Sequence, residues 1–305
     1  MINDDVERYL EYLSLQRGYS KNTVDSYRRD IYKFMEYMEK ENATFQDVES
    51  NLIRNFLLDE TLNEISKRSS QRRLVALRRF YEWMLKEGIV KFNPFKIISS
   101  PKLDKTLPDF LHQEEIDKLF EEDSKREDFL ALRDHAILEL LYASGLRVSE
   151  LVSLTLDSLN PNQRIIRVVG KGNKERIVPY SIECKKALDK YINECRNEII
   201  EKNKIEKPTN ALFLNARGEG ITTRGVEYIL KSVEKKIGME LDLHPHKMRH
   251  SFATHLLDSG VDLRVIQEIL GHESLETTQV YTHISTSKMI ESYQNYFPRA
   301  KKDGK

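Results

Sequence analysis

The chain has 305 residues, 39% of them hydrophobic and 32% charged, with 49 Lys and Arg balancing 49 Asp and Glu. That length exceeds one compact domain and suits two, each large enough to bury a core. No apolar run approaches the roughly 18 residues that span a bilayer, and Met1-Ile2-Asn3-Asp4-Asp5 lacks the basic start and apolar stretch of a secretory signal, so the expectation is a cytoplasmic protein that makes no membrane contact.

The first hundred residues repeat a helical pattern. Val6, Leu10 and Leu13 form one apolar stripe, and Tyr27, Ile31, Phe34 and Met38 form a second, opened by Ser20-Lys21-Asn22-Thr23. Leu52 and Phe56 lie on a third, and Leu74, Leu77, Phe80, Tyr81 and Met84 on a fourth that stops at Gly88. This predicts a four-helix domain over residues 1–90. From Ser66 to Lys105 eleven Lys or Arg face three acids, whereas from Asp109 to Asp128 nine acids face three bases. A field depends on where charges sit, so the neutral total leaves room for an electropositive, nucleic-acid-binding surface. Arg72, Arg73 and Arg79 can lie away from the apolar stripe of the fourth helix and are the candidates to meet phosphates there. Residues 91–108, with Pro94, Pro101 and Pro108, read as a linker because proline pushes its predecessor toward extended backbone.

Residues 109–305 read as a second, mostly helical domain with one interruption. An apolar helix over Ala131 to Tyr142 ends near Gly145. Arg164 to Val169 and Lys174 to Pro179 are β-branched runs around Gly170-Lys171-Gly172-Asn173, which predicts an antiparallel hairpin with Lys171 at its tip. Helices follow at about 183–202, 222–237, 245–259, 263–270 and 287–296. Cys184 and Cys195 share the first of these, roughly 16 Å apart along its axis, too far for a disulfide and consistent with reduced thiols.

Six of the eight histidines fall between 244 and 283. Pro245 suits the first position of a helix, which puts His246 and Arg249 at i and i+3 near an N-terminus that also favours anions. Arg147 follows Gly145 at a helix junction, where Glu150 can hold it in one direction. Gly271 terminates the helix carrying Val265, Ile266, Ile269 and Leu270, His272 comes next, and Tyr281 stands nine positions later. A tyrosine, two guanidinium groups and several imidazoles supply what phosphodiester exchange through a protein-bound intermediate needs.

The runs His244-Pro-His-Lys-Met-Arg-His-Ser-Phe-Ala-Thr-His255, Leu263-Arg-Val-Ile-Gln-Glu-Ile-Leu-Gly-His272 and Thr277-Thr-Gln-Val-Tyr-Thr-His283 closely resemble the catalytic end of the tyrosine site-specific recombinases, in particular the Xer-type chromosome dimer resolvases. The likeness extends to Ala143-Ser-Gly-Leu-Arg-Val-Ser-Glu-Leu151, Gly170-Lys-Gly-Asn-Lys-Glu-Arg176, Asn93-Pro94 and Pro298-Arg-Ala300, and so covers nearly the whole chain. It implies a mainly α fold: an N-terminal four-helix core-binding domain, and a mostly helical catalytic domain with a small antiparallel β-sheet. It implies a catalytic set of Arg147, Lys171, His246, Arg249, His272 and Tyr281, with Glu150 behind Arg147; His244 is assigned no role.

The same resemblance implies an enzyme that needs no cofactor and no metal. It would join Tyr281 to a 3′-phosphate of duplex DNA and pass through a Holliday junction. Four protomers would gather on two sites, as a homo- or hetero-tetramer with a related partner recombinase, under control of a cell-division DNA translocase. Residues 289–297 look amphipathic and are expected to dock into a neighbouring protomer. Three other readings compete: an integrase of a mobile element, a catalytically inert DNA-binding accessory protein, and a metal-dependent hydrolase using His246 and His250 at i and i+4. Lys247 and Arg249 surround that histidine pair with positive charge, which disfavours a cation.

Overall fold

The computed structural model describes residues 2–101, 109–170, 175–271 and 286–300. The chain divides into two compact units, Met1–Thr106 and Leu107–Lys305, each with its own hydrophobic core. Among the described residues no helix is long and apolar enough to cross a membrane.

The first unit is built from α1 (Ile2–Glu11), α2 (Lys21–Lys40), α3 (Ser50–Leu62) and α4 (Lys67–Lys86), with a π-helical turn at Tyr12–Gln16 extending α1. Ser20 and Ser66 start α2 and α4, each side-chain oxygen accepting a backbone N–H of the first turn, from Thr23 and Ser69. The predicted stripes close on one another: Val6, Ile31, Phe34, Phe56, Leu77, Phe80 and Met84 are all buried, while in the third stripe Leu52 is half-buried and its neighbour Ile53 takes the core position. Phe34 meets Phe56 and Phe95 edge to face.

The linker expected from residue 91 is shorter at its start. Pro94–Ile97 form a 3₁₀ turn, Phe95 is fully buried, and Arg78 donates from Nε to the Phe95 carbonyl and from Nη2 to the Ile98 carbonyl, both at 3.0 Å. Pro94 opens that turn, and an aromatic anchor and an arginine keep the segment on the first core.

The second unit begins with α5 (Gln113–Ser124), α6 (Ala131–Ser144) and α7 (Val148–Ser153). A sheet β1 (Leu159–Asn160), β2 (Ile165–Val169) and β3 (Glu175–Pro179) follows, antiparallel throughout in the order β1-β2-β3. Next come α8 (Ile182–Lys190), a π-helical turn at Tyr191–Cys195, α9 (Arg196–Lys202), α10 (Thr223–Ile237), α11 (Pro245–Asp258), α12 (Leu263–Leu270) and α13 (Thr286–Tyr296). Helix α6 is the central post, buried along most of its length, with Arg133, Asp134 and Glu139 buried among its apolar residues. The acidic run of residues 109–128 is partly turned inward, where Arg126 pairs with Asp123, Asp128 and Asp134.

In the single chain, residues 289–297 pack on their own domain. Met289, Tyr293, Phe297 and Ala300 are buried in the second core, Tyr293 and Phe297 stack at 4.9 Å, and the Tyr293 hydroxyl donates to the Ala143 carbonyl at 2.7 Å. Arg299 closes the turn by pairing with buried Glu139 of α6 at 2.5 Å. Tyr293→Ala is therefore expected to destabilise the second unit by about 3–5 kcal/mol and Tyr293→Phe by about 1 kcal/mol, read from denaturant unfolding. Deleting residues after Ser287 should remove these contacts and destabilise the second unit.

Candidate active site

Two helix ends meet in the second unit. α6 and α12 each stop at a glycine in the left-handed region, Gly145 with φ 58° and Gly271 with φ 64°. A side chain would clash at Gly145 and crowd a neighbouring arginine at Gly271. A Cβ on Gly145 would stand 2.4 Å from Phe252 Cδ1, and one on Gly271 would stand 3.0 Å from Arg176 Nε. Carbonyls at a helix C-terminus lack intrahelical donors and carry the negative end of the helix dipole. Here arginines satisfy them.

Arg249, on α11 and 8% exposed, donates from Nη1 to the Gly145 carbonyl at 2.5 Å and from Nη2 to the Leu270 carbonyl at 2.7 Å. Arg147 donates from Nη2 to the Gly271 carbonyl at 3.1 Å, and Arg176 on β3 donates from Nε to the Ile269 carbonyl at 3.0 Å. Glu150 is the one carboxylate bonded to this cluster among the described residues, and it is 5% exposed. Its Oε1 accepts from Arg147 Nη1 at 2.9 Å and Arg176 Nη1 at 2.8 Å; its Oε2 accepts from the Arg147 backbone N–H at 2.8 Å and Arg176 Nη2 at 2.9 Å.

Two guanidinium groups thus bond one carboxylate, and with Arg249 beside them they leave a local excess of positive charge. Burial alone would raise the Glu150 carboxyl, but the bonds from Arg176 and Arg147 outweigh it and hold the group below the usual carboxylate range. Burial, and after it the charge of Arg147, pulls Arg249 down to about 10, which still leaves it protonated at neutral pH. An anion placed against these arginines would relieve their mutual repulsion.

Arg147, Arg249 and Glu150 are therefore brought together as the sequence suggests. His246 stands exposed on the first turn of α11, its ring stacked at 6.5 Å on that of His244. His244, given no role above, is the N-cap of α11, its Nδ1 accepting the Lys247 N–H at 3.1 Å. Lys171, His272 and Tyr281 lie outside the described residues. Among the described residues the group with metal-ligand spacing is Asp109, Asp242 and His244, and Lys247 pairs with Asp109 at 2.7 Å.

Arg176 is the residue that sequence reasoning leaves without a role. A signal exists, because Arg176 pairs across the sheet with Val168, which is buried, so the two share the inward face. A charged residue on an inward face requires a buried partner, and Glu150 is that partner.

On the first unit, Arg73 is not free to meet phosphate. Its side chain is 11% exposed, pairs with Glu60 and with Asp30, and lies over the Phe56 ring. Two acids buried beside α4 capture it, which the stripe pattern alone does not reveal. Arg72 is exposed but bonded to Ser26 and Asp30, and Arg79 is exposed and held by the hydroxyls of Tyr19 at 2.7 Å and Tyr27 at 3.0 Å.

On the far side of α11, His255 Nδ1 meets the Tyr142 hydroxyl at 2.8 Å, and burial holds the imidazole below its ordinary value near 6.5. The unfolded chain then takes up a proton first as pH falls through 6.5, so stability is lost from that point down to the folded value. Unfolding between pH 7.5 and 5.5 should show this loss, and His255→Gln should flatten it; a histidine signal titrating above 6.5 would contradict it.

Residues 109–288 match the phage integrase family, and residues 6–88 match the phage integrase N-terminal SAM-like domain. Tyrosine recombinase XerD of Oceanobacillus iheyensis is 41% identical over 302 residues, covering 98% of this chain and all of that protein. Tyrosine recombinase XerC of Anoxybacillus flavithermus is 40% identical over 300 residues, covering 98% and 99%. Among solved structures, XerH site-specific recombinase bound to difH substrate aligns with a TM-score of 0.66 at 23% identity over 95% of this chain and 82% of that one. The Tn1549 transposon integrase in complex with circular intermediate DNA aligns with 0.67 at 21% identity over 93% and 97%. The structures share the fold, and the sequence relatives span both units, so the chain belongs to the phage integrase family, among its tyrosine recombinases.

Proposed function

We propose that this chain is a site-specific recombinase that cuts and rejoins duplex DNA. The observation that carries the reading is the pair Arg147 and Arg249, fixed by helix-end carbonyls and Glu150 with positive charge left over. Two rigidly held guanidinium groups suit the non-bridging oxygens of one phosphodiester, where they offset the charge that grows in the pentacoordinate transition state. In the reaction Tyr281 attacks phosphorus, a P–O bond to the tyrosyl oxygen forms, and the P–O bond to the 5′-oxygen breaks. The phenolic proton leaves with help from His246, and Lys171 protonates the departing 5′-oxygen. His272 donates a further hydrogen bond to the phosphate. The 3′-phosphotyrosyl link conserves the bond energy, so the released 5′-hydroxyl of a partner strand can reverse the step without ATP or a cofactor. Two rounds of exchange form and resolve a Holliday junction.

The XerC and XerD names of the relatives support resolution of chromosome dimers with a related partner recombinase; the reading further places four protomers on two sites in the cytoplasm, with a cell-division DNA translocase as regulator. Arg72 and Arg79 on the first unit are the remaining candidates for backbone contact with the duplex. The test is a supercoiled plasmid with two directly repeated chromosomal-terminus sites, treated with the purified protein in excess chelator, with and without a paired recombinase. Two resolved circles are expected; cleavage that stops with chelator would favour the metal-dependent reading, and binding without cleavage of nicked substrates would favour an inert accessory protein.

A further inference from the structure

We infer that Arg176 is a positioning residue for the phosphate site: its guanidinium ties Glu150 to the last turn of α12 and so fixes the direction of Arg147. The inference rests on the reading of the preceding subsection. Glu150 on α7 could hold Arg147 in more than one geometry, because a carboxylate bonded from one side can swing about its own side-chain torsions. The two parallel bonds from Arg176 at 2.8 and 2.9 Å set the plane of that carboxylate. The third bond, from Nε to the Ile269 carbonyl, sets the height of the α12 terminus, and the Gly271 carbonyl that receives Arg147 stands two residues further on.

All three donor groups of Arg176 point inward, and its side chain is 13% exposed, against 44% for Arg147. Arg147 is thus the residue open to a phosphate, and Arg176 is the one that holds it. Gly271 completes the arrangement, since any side chain there would press on the Arg176 guanidinium. Arg176 also stands on the strand that leaves the Lys171 hairpin, and Gly271 immediately precedes His272. One side chain therefore links the bases of both segments that carry the remaining catalytic candidates.

The experiment compares Arg176→Lys and Arg176→Met with the unsubstituted protein on a nicked suicide duplex, reading DNA affinity by gel shift and the rate of covalent capture separately. Lysine keeps the charge and provides a folded second variant, but as a point charge it cannot span both carboxylate oxygens. Both variants should bind DNA with unchanged affinity and cleave roughly 10- to 100-fold more slowly, the range for groups that orient a reacting residue from behind. In a Glu150→Gln background the Arg176→Met loss should shrink to less than roughly threefold, because the two residues act as one device.

Cleavage at the normal rate by a folded Arg176→Lys protein would overturn the inference. So would an equal loss of affinity and rate, which marks direct phosphate contact, or losses that multiply independently in the double variant. No adduct from the unsubstituted chain would overturn the recombinase reading as well.

Discussion

Arg249→Lys is expected to reduce covalent capture of DNA by roughly 10²- to 10³-fold, the size of losing one preorganised donor to a charge-developing transition state. Arg249 is buried between two helix ends and spends one donor on the Gly145 carbonyl and another on that of Leu270. A guanidinium carries five N–H donors, and the two bonds already made fix the plane in which the rest lie. A lysine keeps the charge but offers a compact ammonium on a flexible stem, so it cannot bridge both carbonyls and still present a fixed edge to phosphate. Because the lost interaction matures only as charge builds on the phosphate, rate should fall far more than DNA affinity. The comparison uses single-turnover capture beside a gel-shift titration, with far-UV dichroism as the control for folding. A variant that captures DNA at the normal rate would remove Arg249 from the chemistry.

Tyr281→Phe should have a larger effect still, on the order of 10⁶-fold, since nothing else in the proposed mechanism supplies the attacking oxygen. Binding should be almost untouched. Affinity for duplex DNA is spread over many phosphate contacts, and one hydroxyl adds little to that sum. The Tyr281→Phe protein should accordingly shift DNA like the unsubstituted chain and compete with it, while leaving the strands intact. Residual capture in this variant would show that another side chain is the nucleophile.

Much of this architecture is legible in the sequence, because helices declare themselves through local spacing. The stripes of α2 and α4, the glycines that end α6 and α12, and the β-branched runs of β2 and β3 all appear where periodicity and turn chemistry place them. What spacing does not show is which distant group captures a long side chain. Arg73 reads as a surface arginine until Asp30 and Glu60 are folded beside it, and Arg176 reads as part of a hairpin until Glu150 arrives from α7. The Pro94 segment carries the signals of a linker, yet the burial of Phe95 decides its place. Helix α13 is amphipathic from sequence alone, but only the tertiary structure reveals that its buried Met289 and Tyr293 join the core of the second unit, with the Tyr293 hydroxyl on the Ala143 carbonyl of α6.

The central claim is that these arginines hold a phosphate for attack by a tyrosine, and peptide mapping of the trapped complex tests it most directly. A nicked suicide duplex is incubated with the protein in excess chelator, the complex is digested with protease and nuclease, and the nucleotide-bearing peptide is sequenced by mass spectrometry. The account predicts a single modified residue, Tyr281, joined to a 3′-phosphate, and no such peptide when Arg147 or Arg249 is replaced by methionine. A nucleotide attached to another residue, a 5′-phosphate linkage, or undiminished capture without those arginines would contradict it.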